Sequence, residues 1–282
     1  MKKYGGENMM KKVLVGTLLL GSALYASDLS TVTGEGVATF AKKEITNDKP
    51  LMYLAQNFHE MATLPSFSLG APSGLVSSYG VAFAGISGRR DRDNTDGALA
   101  LGMGFGDADK IGGAFSLGIG SIDPRDGGSF NRGNLNLNVG HHFKEYGFGW
   151  SVGMTGLDLW HANGLDGDYQ DPSFYTAVTK LWANEFLPVA ITAGFGNNSY
   201  ADINRENDRK DKVDGFGAVA MYLHPQLSVI VDYTSNILTA GVSVVPFPDY
   251  PISLTLGATN INEQGSNDKV AAIGSLAAAY VF

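Results

Sequence analysis

The chain has 282 residues, of which 37 are glycine and none is cysteine, and only 17% are charged. This composition favours a strand-rich protein of the cell envelope over a helical cytosolic one. The formal net charge is −8. An acidic chain without a basic patch argues against nucleic-acid binding, so we expect no nucleic-acid partner.

The first 26 residues have the features of a secretory signal peptide. Two lysines precede the apolar run 13–20, and small residues lead up to a cleavage position after Ala26. Residues 1–26 contain four lysines and one glutamate, so their removal would leave a net charge of −11. Residues 1–8 stand ahead of a second start at Met9, and we interpret them as a start-site overrun.

The remaining chain contains no apolar run of about 18 residues, the length that a membrane helix needs. A membrane location would therefore require a closed barrel, in which every backbone polar group is paired. Twelve segments have strand character, and an even number suits a bacterial single-chain barrel. They are centred on residues 81–86, 98–105, 114–121, 134–143, 146–157, 174–181, 187–195, 215–223, 227–233, 238–245, 252–259 and 270–282.

Large apolar and small residues alternate along these segments. Leu99 and Leu101 alternate with Ala98 and Ala100, and the same pattern recurs in the third, fourth and eleventh segments. The pattern predicts large residues towards lipid and small ones towards the lumen. The connections alternate between short and long, and aromatic residues gather near the short ones, as an interfacial girdle should. These aromatics are Phe105, Phe143, Tyr146, Phe148, Trp182, Tyr222, Phe247, Tyr250, Tyr280 and Phe282.

The chain ends in Phe282, and Tyr280, Ala278 and Leu276 form an apolar face at alternate positions before it. This ending resembles the terminal strand of bacterial outer-membrane β-barrel proteins, in which the strand is an assembly signal. The resemblance implies an all-β, transmembrane, antiparallel up-and-down barrel of about twelve strands over residues 80–282. It also implies a bacterial outer-membrane location, with Tyr280 and Phe282 as the assembly signal. The expected partners are outer-membrane lipid, lipopolysaccharide and the barrel-assembly machinery.

Residues 27–79 differ in character from the barrel. An N-cap and an early proline near residue 50 precede Leu51, Leu54 and Phe58 at helical spacing, which predicts one short amphipathic helix. The flanking stretches are rich in glycine and serine and indicate irregular chain. Our preferred interpretation is a plug, with Leu51, Leu54 and Phe58 against the small-residue wall. The alternatives are a periplasmic tail and a helix on the membrane surface.

The predicted lumen wall consists mainly of small residues, so a twelve-stranded barrel would keep space inside. The polar residues predicted to line the pore are Asn134, Asn136, Asn138, His142, Lys180 and Asp232. The asparagines have an alternative interpretation, in which water and neighbouring groups simply satisfy inward polar positions. General porins show facing acidic and basic rows, which this set lacks. The pattern therefore favours small uncharged or amphipathic solutes.

Three functions are compatible with this reading. The leading hypothesis is a channel or passive transporter for an unknown small solute, and the main alternative is a structural or adhesive surface barrel with a sealed lumen. An outer-membrane lipid hydrolase is less favoured, because His141 is predicted on the lipid face at the periplasmic end and no serine has a suitable spacing. We therefore predict no enzyme, no catalytic residue, no cofactor and no metal.

Overall fold

The computed structural model describes residues 63–91, 95–120, 130–161, 171–182, 187–204, 209–265 and 269–282. Twelve β-strands account for most of these residues. They are β1 Val81–Arg90, β2 Thr95–Asp107, β3 Ile111–Gly120, β4 Arg132–Phe143, β5 Phe148–His161, β6 Ser173–Trp182, β7 Val189–Asn197, β8 Val213–His224, β9 Leu227–Thr234, β10 Ile237–Val244, β11 Ile252–Thr259 and β12 Ala271–Val281.

The strands form one closed antiparallel barrel. Each strand pairs with its neighbours in sequence, and β1 closes the sheet by pairing with β12. In that closing pair Val81 lies opposite Val281 and Ala84 opposite Ala278. The barrel and its twelve strands confirm the prediction, and the strand limits differ from it by only a few residues because strand ends carry the weakest alternation signal.

The predicted alternation matches the observed burial. In β2, Leu101 is 54% exposed on the outer surface, whereas Ala100 is 1% exposed on the lumen side. In β3, Phe115 is exposed and its neighbours Ala114 and Ser116 are buried. The barrel therefore has an apolar outward face and a small or polar inward face, because successive side chains of a strand point to opposite sides of the sheet.

The ladder between β4 and β5 is irregular. The register shifts between Gly133 and Asn134 and again between Leu135 and Leu137. Gly156 in β5 has a φ of 74°, and its N–H donates to the side-chain oxygen of Asn136 at 2.8 Å. Such bulges redirect side chains and often adjoin functional sites.

The two ends of the barrel differ in their connections. At the short-turn end, which carries Phe282, β2 and β3 are joined by residues 108–110 and β8 and β9 by residues 225–226. At the long-loop end most connections are longer. The shortest one joins β9 to β10 through Ser235 and Asn236, which both have positive φ, as a type I′ hairpin turn requires.

Most of the predicted girdle aromatics project outward at the short-turn end, but Tyr222 does not. Its side chain is 4% exposed and packs inside the barrel with Ala190, Ala220 and Ile230. The prediction for Tyr222 was wrong because β8 has large residues at both odd and even positions. The alternation alone therefore did not show which of them face inward. Among the described residues no helix has the length and apolar character needed to cross a membrane.

Candidate functional site in the barrel lumen

The interior of the barrel is occupied by a stretch of the chain that precedes β1. We call residues 63–77 the lumen segment. All fifteen are buried, although they form neither helix nor strand. The segment crosses the lumen from the wall of β9–β11, which Ser66 contacts, to the wall of β2 and β3, which Ser77 contacts. It then joins β1 at the short-turn end, so the interior is filled by irregular chain as well as by barrel side chains.

Apolar side chains of the lumen segment pack against the inward faces of β7, β8 and β9. Leu64, Phe67, Leu69 and Leu75 form one buried cluster with inward residues of these strands, which are Ala190, Ala220, Tyr222 and Ile230. Burying a side chain of this size contributes roughly 1.5 to 3 kcal/mol. The small alanines leave room for these side chains, so the wall and the segment are complementary in shape.

The strongest polar contact is made by Asp232 on β9. Its Oδ2 atom accepts three backbone hydrogen bonds, from the N–H groups of Leu69, Gly70 and Ala71, each at 2.9 Å. Its Oδ1 atom accepts a hydrogen bond from the hydroxyl of Thr234 at 2.9 Å. A buried carboxylate needs such donors because burial removes its water shell. Asp232 therefore anchors the middle of the lumen segment.

A second anchor holds the part of the lumen segment that leads towards β1. The N–H of Gly74 donates to Oγ1 of Thr179 on β6 at 2.8 Å, and the hydroxyl of Ser151 on β5 donates to the carbonyl of Ser73 at 2.6 Å. Gly74 also lies so close to the backbone of β5 and β6 that a Cβ atom would collide with the carbonyl of Gly149. Only glycine permits this approach between two backbones.

His142 on β4 also binds this part of the lumen segment. Its Nε2 atom accepts a hydrogen bond from the N–H of Val76 at 2.8 Å. A ring nitrogen that accepts is unprotonated, so the imidazole is neutral with its proton on Nδ1.

Ser66, near the start of the lumen segment, is held through both of its backbone groups. Its N–H donates to the hydroxyl oxygen of Ser243 on β10 at 2.9 Å, and its carbonyl accepts from the hydroxyl of Ser228 on β9 at 2.5 Å. Together with the contacts of Asp232, Thr179, Ser151 and His142, these bonds show that the wall side chains recognise mainly the backbone of the segment.

The three asparagines of β4 all lie on the inward face and are buried. Oδ1 of Asn138 accepts from the N–H of Ala114 at 2.8 Å. Asn136 accepts from Gly156 and donates to the hydroxyl of Ser116. Neither the oxygen nor the nitrogen of the Asn134 amide has a hydrogen-bond partner within the described chain. The asparagines are therefore not equivalent, and their pore-lining role stays a prediction.

Lys180 does not line the lumen, contrary to the prediction. It is exposed on the outward face near the short-turn end, where its amine donates to the carbonyl of Tyr146 at 2.7 Å. Tyr175, Ala177 and Thr179 are the inward residues of β6. This strand has large residues at both odd and even positions, so the sequence pattern did not show which residues face the lumen.

The other predicted site residues fall in two groups. Leu51, Leu54 and Phe58 lie outside the described residues, so their packing in the lumen stays a prediction. Tyr280 and Phe282 are exposed on the outward face, with stacked rings 6.4 Å apart, and the N–H of Phe282 donates to the carbonyl of Gly80 at 2.8 Å. Their role as an assembly signal likewise stays a prediction.

Residues 198–204, which follow β7, fold over the mouth of the barrel at the long-loop end. Tyr200, in the short 3₁₀ turn Asn198–Tyr200, is 4% exposed. Its hydroxyl lies 3.0 Å from Oγ1 of Thr155, and its ring contacts those of Tyr175 and Phe216 at centroid distances of 5.4 and 5.5 Å. Ala71 of the lumen segment belongs to the same buried cluster. The loop and the segment thus meet inside the barrel.

Charged groups lie near this mouth, on the side formed by β2, β4 and β5. Arg132 pairs with Asp96 at 3.4 Å, and Nδ1 of His161 lies 2.7 Å from the carboxylate of Asp158. His141, in contrast, is outward at the short-turn end, with Nδ1 2.8 Å from the carbonyl oxygen of Lys110. None of these geometries favours a serine hydrolase site in the described part of the barrel.

The chain is similar to several known structures, all at low identity. No protein-family model and no curated protein sequence matches the chain. Similar solved structures include an outer membrane channel from Pseudomonas putida F1, with 12% identity, a TM-score of 0.44, and coverage of 73% of this chain and 97% of the other. A calcium-bound outer membrane phospholipase dimer from Salmonella typhi has 9% identity, a TM-score of 0.42, and coverage of 73% and 92%. The NanC porin has 10% identity, a TM-score of 0.40, and coverage of 71% and 99%.

The class is defined by the molecule itself, through its closed twelve-stranded antiparallel barrel, its apolar outward face and its small or polar inward face. The protein is a closed up-and-down β-barrel of the kind that spans outer membranes.

Proposed function

We propose that the protein is a passive channel of the bacterial outer membrane, narrowed by the lumen segment, for small uncharged or amphipathic solutes. The observation that carries this proposal is the filling of the lumen by residues 63–77. The barrel wall is built mainly of small and polar residues, and a twelve-stranded barrel with such a wall encloses space. The short-turn end would face the periplasm, as short turns do in this class of barrel.

The chemistry of the inward surface supports the choice of solute. It combines apolar groups such as Phe83, Tyr175 and Phe216 with neutral hydroxyl and amide groups. The carboxylate of Asp232 is engaged by three backbone donors of the lumen segment. Such a surface suits uncharged or amphipathic molecules better than ions.

The sealed structural or adhesive barrel is the second candidate, and one observation favours it. The lumen segment and Tyr200 occupy the interior together, and both are almost fully buried. A barrel closed in this way would serve as a scaffold for its long loops. The two candidates differ in whether the interior passes solutes when the segment is removed.

Conductance in planar bilayers tests the proposal. Deletion of residues 27–77 should give a much larger single-channel conductance than deletion of residues 27–62, which keeps the lumen segment. The second deletion is the matched control, and it also removes Leu51, Leu54 and Phe58. A higher conductance after this shorter deletion than in the full mature chain would show that residues 27–62 narrow the channel as well.

Two outcomes would contradict the proposal. No conductance in any form would favour the sealed barrel. Equal conductance of the two deletions would show that the lumen segment does not narrow the channel.

A further inference from the structure

Two buried polar side chains lie on the side of the barrel across from Asp232. Asn134 on β4 is 3% exposed and Ser87 on β1 is 5% exposed. Neither the Asn134 amide nor the Ser87 hydroxyl has a hydrogen-bond partner within the described chain. Buried polar groups are nearly always partnered, because an unpaired one loses its hydration without compensation. These two groups therefore need an explanation.

The neighbouring asparagines differ from Asn134 in their hydrogen bonds. Asn136 and Asn138 each bind a backbone N–H of an adjacent strand, so both have a structural role. Asn134 is on the same inward row and next to the bulged ladder of β4 and β5, yet it makes no such bond. The donor and acceptor groups of the Asn134 amide are therefore available to bind a group that does not belong to the sheet.

Only small residues separate Asn134 from Ser87 along the wall. The strands between them, β2 and β3, contribute Ala98, Ala100 and Gly118. A Cβ atom on Gly118 would lie 2.6 Å from Oδ1 of Asn134, so the amide lies over this glycine. Three strand spacings of roughly 4.8 Å, with an offset of two residues along the strands, separate Asn134 from Ser87 by about 16 Å along the wall. We call this strip of small residues with a polar group at each side the trough.

The charges around this trough balance. Arg132 pairs with Asp96 at 3.4 Å, and Asp158 pairs with His161 at 2.7 Å. Arg89 lies opposite Asp96 in the ladder of β1 and β2. With histidine counted as neutral, the two arginines and the two aspartates sum to zero, so the trough offers no net charge that would select an anion or a cation.

We propose that Asn134 and Ser87 form a binding subsite for a small neutral polyhydroxyl solute, such as a sugar or polyol; this deepens the proposed channel function and rests on it. An amide and a hydroxyl each donate and accept hydrogen bonds, and so does every hydroxyl of a polyol. The wall residues between the two polar groups, Ala98, Ala100 and Gly118, are small, so no large side chain of β2 or β3 separates them.

Ligand binding to the full mature chain in detergent tests the subsite. Saturation-transfer NMR would measure the affinity for sucrose and sorbitol, with gluconate and choline as charged probes. Asn134→Leu should weaken sucrose binding about tenfold, equivalent to one or two lost hydrogen bonds, and Ser87→Ala should weaken it less. Thr239→Val is the matched control, because the Thr239 hydroxyl already bonds to Thr259 on another part of the wall. Its affinity for sucrose should be unchanged.

Three results would overturn the subsite. The first is no saturable binding of sucrose or sorbitol to the wild type, which would mean that water alone occupies the site. The second is an unchanged affinity for sucrose in a folded Asn134→Leu variant, and the third is a higher affinity for gluconate or choline than for sucrose. Asn134→Asp, which keeps the shape and removes the amide donors, should also bind sucrose more weakly if the leucine variant does not fold. The binding measurement does not depend on transport, so the two proposals can fail separately. Sucrose binding without conductance would refute only the channel proposal. Conductance without sucrose binding would refute only the proposed subsite.

Discussion

On the outward face of the barrel, alternate strand residues are large and apolar, whereas on the inward face of the same strands they are small or polar. Leu101 is 54% exposed and meets no particular partner, while Thr179 is fully buried and bonds to the backbone of Gly74. The outward face must satisfy a uniform solvent, lipid, so any large apolar side chain serves. The inward face must fit one irregular chain, so many inward positions have a specific partner in that chain.

This difference has an energetic consequence. A change on the outward face is costly only if it introduces polarity at the depth of the lipid tails. A change on the inward face is costly wherever it removes a hydrogen-bond partner or fills the space of the lumen segment. The contributions of the two faces to stability can therefore be distinguished by making similar substitutions at different positions.

The largest inward effect is expected for Asp232→Ala. The change leaves the N–H groups of Leu69, Gly70 and Ala71 buried without their acceptor. Since a hydrogen bond to a charged group contributes about 1.5 to 3 kcal/mol, the free energy of unfolding in detergent should fall by about 3 kcal/mol or more. Protease cleavage within residues 63–77 should rise at the same time.

Thr239→Val is the control for Asp232→Ala, because Thr239 lies directly opposite Asp232 in the ladder and also points inward. It should cost only about 1 kcal/mol, the contribution of one neutral hydrogen bond. Equal stability of the two variants would show that the contacts of Asp232 with the lumen segment are not important for stability.

Leu101→Arg tests the outward face. Leu101 lies at the middle of β2, so the charge would enter the lipid near the midplane and should cost about 2 to 4 kcal/mol. Ile111→Arg, at the short-turn end of β3, is equally outward but lies near the interface, and should cost about 0 to 1 kcal/mol. Urea unfolding in lipid vesicles would measure both, and a similar cost at the two positions would contradict the predicted depth of Leu101.

Gly74→Ala tests the close approach of the lumen segment to the wall. The added methyl group collides with the backbone of β5 and β6, and overpacking of this kind costs about 1 to 3 kcal/mol. Gly88→Ala is the control, because the nearest atom to its Cβ would be the carbonyl oxygen of Asp96 at 3.7 Å. If both variants had the wild-type thermal stability, the segment would not be packed against β5 and β6.

The smallest effect is expected for Tyr200→Phe. The change removes the contact between its hydroxyl and Thr155 and should cost about 0.5 to 1.5 kcal/mol. The loop that contains residues 198–204 should then be cleaved faster by protease added from the long-loop side. Tyr250→Phe removes an exposed hydroxyl at the short-turn end and should leave the cleavage rate unchanged. Identical rates for the two variants would argue against a closed mouth.

The alternation of large and small residues was sufficient to predict the strands. It did not predict which residues face inward in strands that have large residues at both odd and even positions. In β6 the outward Lys180 was predicted to face the lumen, because Tyr175 and Phe174 gave conflicting signals. In β8 the inward Tyr222 was predicted to join the outer girdle. Large inward residues occur in both strands because the lumen holds a segment and a loop that they pack against, and alternation does not encode those partners.

The twelve strands, the closed barrel and the apolar outward face were determined by the sequence itself. A period of two is a local property, and lipid imposes the same requirement on every strand. Only the tertiary structure decided what fills the lumen. Leu69 and Asp232 are 163 positions apart along the chain, and no local pattern pairs a glycine- and serine-rich stretch with one aspartate on a distant strand. The same reason applies to Asn134, whose missing partner becomes visible only once the partners of Asn136 and Asn138 are known.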